Sequence, residues 1–218
     1  MIDIKKAKKI FKNNFIGPEE LKKIFRKLNI ADPFSLGKIP AIKIDEKTAK
    51  KIARNYILIL GIPKNNQGKK LTINEMRNFF GLDPSKKEPC FYNQDWYLKE
   101  KFASQTNLKF KWYLISKNIF QETRGKDPQE SSKNFSGQEK FPLAVLAAFV
   151  FFAYWFLNKE KRLWKNDFIW CDDKDKNGDR IYVGRYEDPN KINKNGFNVH
   201  RHLSLRPCYG AIGAMEVK

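Results

Sequence analysis

Cysteine and histidine are scarce in this chain. Its 218 residues include three cysteines, Cys90, Cys171 and Cys208, and two histidines, His200 and His202. The cysteines form no CxxC pair and no even set, which argues against a disulfide framework and against a cysteine-ligated structural zinc. Phosphate and hydrolase signatures are lacking as well: there is no P-loop, no Rossmann glycine set, no GxSxG elbow and no HExxH helix. Twelve Gly and 10 Pro are too few for a collagen-like or low-complexity chain. The first residues, MIDIKKAKKIFKNNF, contain no apolar core of a secretory signal, so the default expectation is the cytoplasm, with surface display left open. Acidic residues are also in deficit, at 24 Asp+Glu against 43 Lys+Arg, giving a formal charge of +19.

Core-forming residues are abundant. Apolar residues make up 41% of the chain, with 18 Phe, 8 Tyr and 5 Trp, which excludes wholesale disorder. The length allows one large domain or two small ones. Residues 1–90 carry a net charge of +12 and residues 91–218 the remaining +7. Lysines number 34 and arginines nine. Sequence-reading nucleic-acid modules favour arginine forks, so this lysine excess fits a solvated surface as well as a weak attraction to phosphate.

The first 85 residues read as short helices. Ala7, Ile10, Phe11 and Phe15 make a helical stripe over Lys5 to Phe15. Pro18-Glu19-Glu20 opens a second helix that buries Leu21, Ile24, Phe25 and Leu28. Lys47 to Leu60 is open between a third helix and an ending strand at Tyr56–Leu60. Thr72 with Glu75 matches a capping box. The segment from Asp83 to Pro89 reads as a linker. Beyond it, Phe110 to Ile115 reads as a strand and Asn118 to Gln138 as a long loop.

Residues 141–157, FPLAVLAAFVFFAYWFL, carry no charge. The run is shorter than the ~20 residues of a usual membrane span, and a buried helix is the favoured reading over a span. Phe168–Cys171 and Arg180–Tyr186 form the arms of a hairpin around Asn177-Gly178. The stretch from Asp173 imitates the front of an EF-hand loop, but Gly184 stands where the bidentate Glu belongs, so a polar turn is expected. His200 and His202 share a face if extended, yet no spacing supplies further metal ligands. Pairing either histidine with Cys208 as a nucleophile has no orienting motif. No catalytic residue, metal or cofactor is expected.

Residues 195–213, NGFNVHRHLSLRPCYGAIG, contain no Lys, Glu, Gln, Met or Trp, although those types supply 60 of the 218 residues. A random window of this length lacks all five with a probability of roughly 0.002, or about a few per cent once every window placement is allowed for. The missing set has a genetic meaning. An AAC or AAT codon mutated only at its adenines cannot yield any of these five or a stop, and every residue of the run lies in the reachable set. The succession from His200 to Tyr209 shows neither strand alternation nor a helical stripe.

On these features residues 90–218 resemble the variable proteins of diversity-generating retroelements. The resemblance rests on Lys111-Trp112-Tyr113-Leu114-Ile115, a long apolar helix ending in Lys161-Arg162-Leu163, and the strand GDRIYVGRY. It rests also on Asn195-Gly196-Phe197-Asn198-Val199 and on the closing Gly210-Ala211-Ile212-Gly213-Ala214. It implies an α+β protein. A basic, mainly helical N-terminal module (1–85) would precede a C-type lectin-like domain (86–218) with its variable region near 195–213. It implies a non-enzymatic binding protein in which Gly196, Val199, Gly210 and Gly213 are framework. Asn198, His200, Arg201, His202, Ser204, Leu205, Arg206, Cys208 and Tyr209 would be the exposed ligand contacts. The expected partner is a selected ligand, in the first place a protein. Weak nucleic-acid attraction through the N-terminal module is a second expectation. The competing readings are a basic nucleic-acid-binding protein and a membrane-associated protein anchored through 141–157.

Overall fold

The computed structural model describes residues 1–86, 89–187, 195–201 and 205–217. Helix α1 (Ile4–Phe11) begins where the Asp3 carboxylate accepts the Lys6 N–H at 2.7 Å. It is shorter than the stripe predicts. The chain turns through Lys12–Asn14, and Phe15–Ile16 becomes strand β1 instead of helix. Tertiary pairing overrides the helical period: Phe15 and Ile16 lie parallel to Leu58 and Ile59 of β2 (Tyr56–Leu60). The buried Asn14 amide donates to the Ala53 carbonyl at 2.9 Å and fixes the turn.

Helix α2 (Pro18–Leu28) starts on its proline, and Glu20 reaches back to accept the Gly17 N–H at 3.2 Å. Helix α3 (Glu46–Ile52) and β2 share the segment that the sequence leaves open between helix and strand. Thr72 caps helix α4 (Ile73–Phe80) by accepting the Glu75 N–H. Helix α5 (Lys101–Ser104) precedes β3 (Trp112–Ser116). The expected loop 118–138 contains a 3-10 turn at Gln121–Thr123 and a short helix, α6 (Pro128–Ser132), started by the Asp127 carboxylate.

The charge-free run forms α7 (Ala144–Leu157), buried from Ala144 through Trp155. Its rings meet others on several sides: Phe152 stacks on Phe80 at 4.1 Å, and Phe151 lies 5.5 Å from Tyr186 and 5.0 Å from Phe197. Among the described residues no helix is long and apolar enough to cross a membrane. At the helix start the cap comes from a distant strand, where the Asp173 carboxylate accepts the Ala144 N–H at 2.6 Å.

The hairpin forms as expected, from β4 (Phe168–Lys174) and β5 (Arg180–Gly184). Strands β6 (Asn198–His200), β7 (Tyr209–Gly210) and β8 (Ala214–Val217) follow. Among the described residues two four-stranded sheets result, in the orders β1-β2-β3-β8 and β6-β5-β4-β7. The architecture is mixed α+β. The first sheet takes β1 and β2 from before residue 85 and β3 and β8 from after it, and one apolar cluster runs through both parts. In the second sheet, Ile169, Cys171, Ile181, Val183 and Val199 join the cluster that contains α7. The alternate residues Phe168, Trp170, Tyr182 and Tyr209 form a separate aromatic layer on the opposite face.

Candidate ligand-binding surface

The aromatic layer explains how the C-terminal run is held. Phe168 pairs with both Gly184 and Tyr209, and Tyr182 with both Trp170 and His200, so these side chains project from one face of the second sheet. Tyr182 and Tyr209 have ring centroids 5.0 Å apart, and the His200 imidazole stacks on Tyr182 at 5.3 Å with an interplanar angle of 1°. Leu205, Arg206 and Pro207 are exposed where the chain returns towards this layer, while Cys208 packs partly against it.

Residues 195–201 are tied to the scaffold at their start. Phe197 donates its N–H to the Cys90 carbonyl at 2.9 Å and accepts the Tyr92 N–H at 3.1 Å. Gly196 has φ +155°, and a Cβ there would run into the Tyr92 main chain. Val199 is buried, and its carbonyl accepts the Trp96 indole N–H at 3.2 Å. Side chains of Ile119 and Glu139 fill the space beside Gly210 and Gly213. All four positions expected as framework are therefore enclosed.

The nine expected contact residues divide into groups. Asn198 is half-buried and donates to the carbonyls of Arg185 and Gly196, so its amide serves the backbone. His200 is half-buried, with Nδ1 beside the Arg201 N–H and carbonyl at 3.0 and 2.8 Å. Arg201 pairs with Asp175, and its guanidinium lies 4.7 Å above the Trp96 ring. Leu205 and Arg206 are exposed, Leu205 at 45%. Cys208 is half-buried; burial pushes its thiol up, against the opposing pull of Arg185. Tyr209 differs from expectation. It is 6% exposed because its ring completes the aromatic layer, so it is a packing residue in this structure. His202 and Ser204 lie outside the described residues.

Several supporting residues carry no sequence signal. Arg124 donates to the Pro207 carbonyl at 3.1 Å while its fork holds Asp167 at 2.8 and 3.3 Å. The next residue, Gly125, donates its N–H to the Tyr209 carbonyl at 2.9 Å. Asp167 and Pro207 lie 43 and 83 residues from Arg124, and a charge inside a polar loop looks the same whether it is wet or paired. The acids of the EF-hand-like stretch are also committed: Asp173 caps α7, and Asp175 accepts the N–H groups of Asn177 and Asp179 at 2.8 and 2.9 Å. Among the described residues no group of three His, Cys, Asp or Glu side chains could hold a metal ion.

The surface thus offers an exposed apolar side chain, an exposed guanidinium and a half-buried imidazole on a rigid aromatic base. That combination can bury area and form adaptable hydrogen bonds with a macromolecular partner. No protein family, curated protein or solved structure matches the chain.

Proposed function

We propose that this chain is a ligand-binding display protein, built on a C-type lectin-like fold and diversified near residues 195–213 by retroelement-driven adenine mutagenesis. It binds protein or other macromolecular targets without catalysis. The observation that carries the reading is the coincidence of two patterns in one run. By composition, every residue from Asn195 to Gly213 is reachable from an asparagine codon by adenine changes. By placement, enclosed framework positions at Gly196, Val199, Gly210 and Gly213 flank the exposed Leu205, Arg206 and Pro207. A segment that must accept many sequences needs anchors at both ends and free side chains between them. Burial pushes the half-buried Cys208 thiol above its ordinary range, which suits a contact residue better than a nucleophile.

The test is genetic. The source DNA should hold, beside a reverse transcriptase gene, a near-copy of the coding sequence for 195–213 that differs at adenines of the copy. A genome without such a copy overturns the reading.

A further inference from the structure

We propose that the open groove between α1 and α3 binds the phosphate backbone of nucleic acid. This site shares no lining residue with the C-terminal surface and does not depend on the display reading. The groove has a volume of about 680 Å³ and is lined by five lysines, Lys5, Lys6, Lys9, Lys12 and Lys50, against two acids, Asp3 and Glu46. The acids are already engaged. Glu46 pairs with Lys6 at 2.5 Å and Lys50 at 2.8 Å, and Asp3 accepts the Lys6 N–H as the cap of α1. Lys5, Lys9 and Lys12 are exposed, and no acid among the described residues lies within ion-pair distance of them.

Position favours a linear polyanion over a small one. Lys5 and Lys9 are one helical turn apart on α1, and Lys12 follows at its end. Lys12 also borders a second groove of about 360 Å³, lined in addition by Lys23, which no acid among the described residues reaches within ion-pair distance. The cations therefore continue from one concavity into the next, as a phosphate chain requires. Among the described residues no aromatic ring lines the larger groove, so bases gain no stacking platform there. Recognition is then sequence-independent and carried by counterion release.

The test uses the full chain and a fluorescently labelled, mixed-sequence single-stranded oligonucleotide, followed by anisotropy from about 50 to 200 mM salt. Three phosphate contacts predict a log–log salt slope of about −2. The variant K5Q/K9Q/K12Q should bind at least tenfold more weakly and lose most of that slope. The variant K99Q/K101Q/K109Q removes the same charge elsewhere and should bind as the parent does; circular dichroism confirms that both are folded. Equal weakening in the two variants overturns the proposal, because net charge alone then explains binding. So does absence of binding at the lowest salt. Retention on phosphatidylserine vesicles, lost in K5Q/K9Q/K12Q while the oligonucleotide does not bind, assigns the groove to a membrane surface and overturns it too.

Discussion

Arg201 reaches from the end of β6 to the β4–β5 turn, where it pairs with Asp175, whose side chain is 0% exposed. The same carboxylate accepts two N–H groups of its own turn, so one buried charge joins the hairpin to the start of the C-terminal run. Burial pushes the Asp175 carboxyl up, but hydrogen bonds from Arg201, Asp179 and Asn177 outweigh it and hold its pKa below the ordinary value.

Among the described residues, removing Arg201 leaves that charge with backbone partners alone. R201A should lose about 2–3 kcal/mol in urea denaturation at neutral pH. A depressed carboxyl contributes stability above its unfolded pKa and loses it as pH falls through the lower folded value. The gap between R201A and the parent should therefore narrow below about pH 4. A constant gap from neutral pH to that point would show that Trp96 packing, not the ion pair, carries the effect.

Asp173 behaves in the opposite sense. Burial raises its carboxyl to about 6, against the pull of the Ala144 N–H that it caps. A raised carboxyl stabilises the fold below its unfolded pKa, and that contribution is lost as pH rises through about 6. D173N keeps an oxygen for the cap and cannot ionise. Its stability relative to the parent should rise by about 2 kcal/mol between pH 4 and 7. Parallel profiles for the two proteins would contradict the placement of this carboxyl.

The display reading separates neighbours within one short run. L205A/R206A changes exposed side chains and should move the unfolding midpoint by less than about 0.5 kcal/mol equivalent. Y209A empties a place in the aromatic layer and should cost about 3–5 kcal/mol. G196A forces a side chain into the Tyr92 main chain and should also destabilise severely. Thermal melts on the three variants check the contrast. Similar losses in all three would mean that Leu205 and Arg206 are structural.

Much of the local structure was legible in residues. Asp3 is absent from the stripe argument, but the α2 start at Pro18, the Thr72 cap and the Asn177-Gly178 turn all stand where short-range chemistry puts them. The apolar run 141–157 read correctly as a buried helix because it is too short to span. What stayed hidden depends on contacts across long stretches of chain. Phe15 continues a helical stripe and still becomes a strand, because Leu58 offers it a parallel partner. Asp173 looks like a turn acid, yet it caps a helix 29 residues earlier. Within the C-terminal run, composition marked the segment but could not separate Tyr209, which packs inward, from Leu205, which does not. No periodicity distinguishes the two in a segment without regular structure.

Sequencing the DNA around the gene is the decisive measurement. Retroelement-driven diversification requires a second, near-identical copy of the stretch encoding 195–213 next to a reverse transcriptase gene. Its mismatches should fall at adenines of the copy and should spare the codons of Gly196, Val199, Gly210 and Gly213. A genome with no such copy, or one whose mismatches fall equally on all four bases, would contradict it.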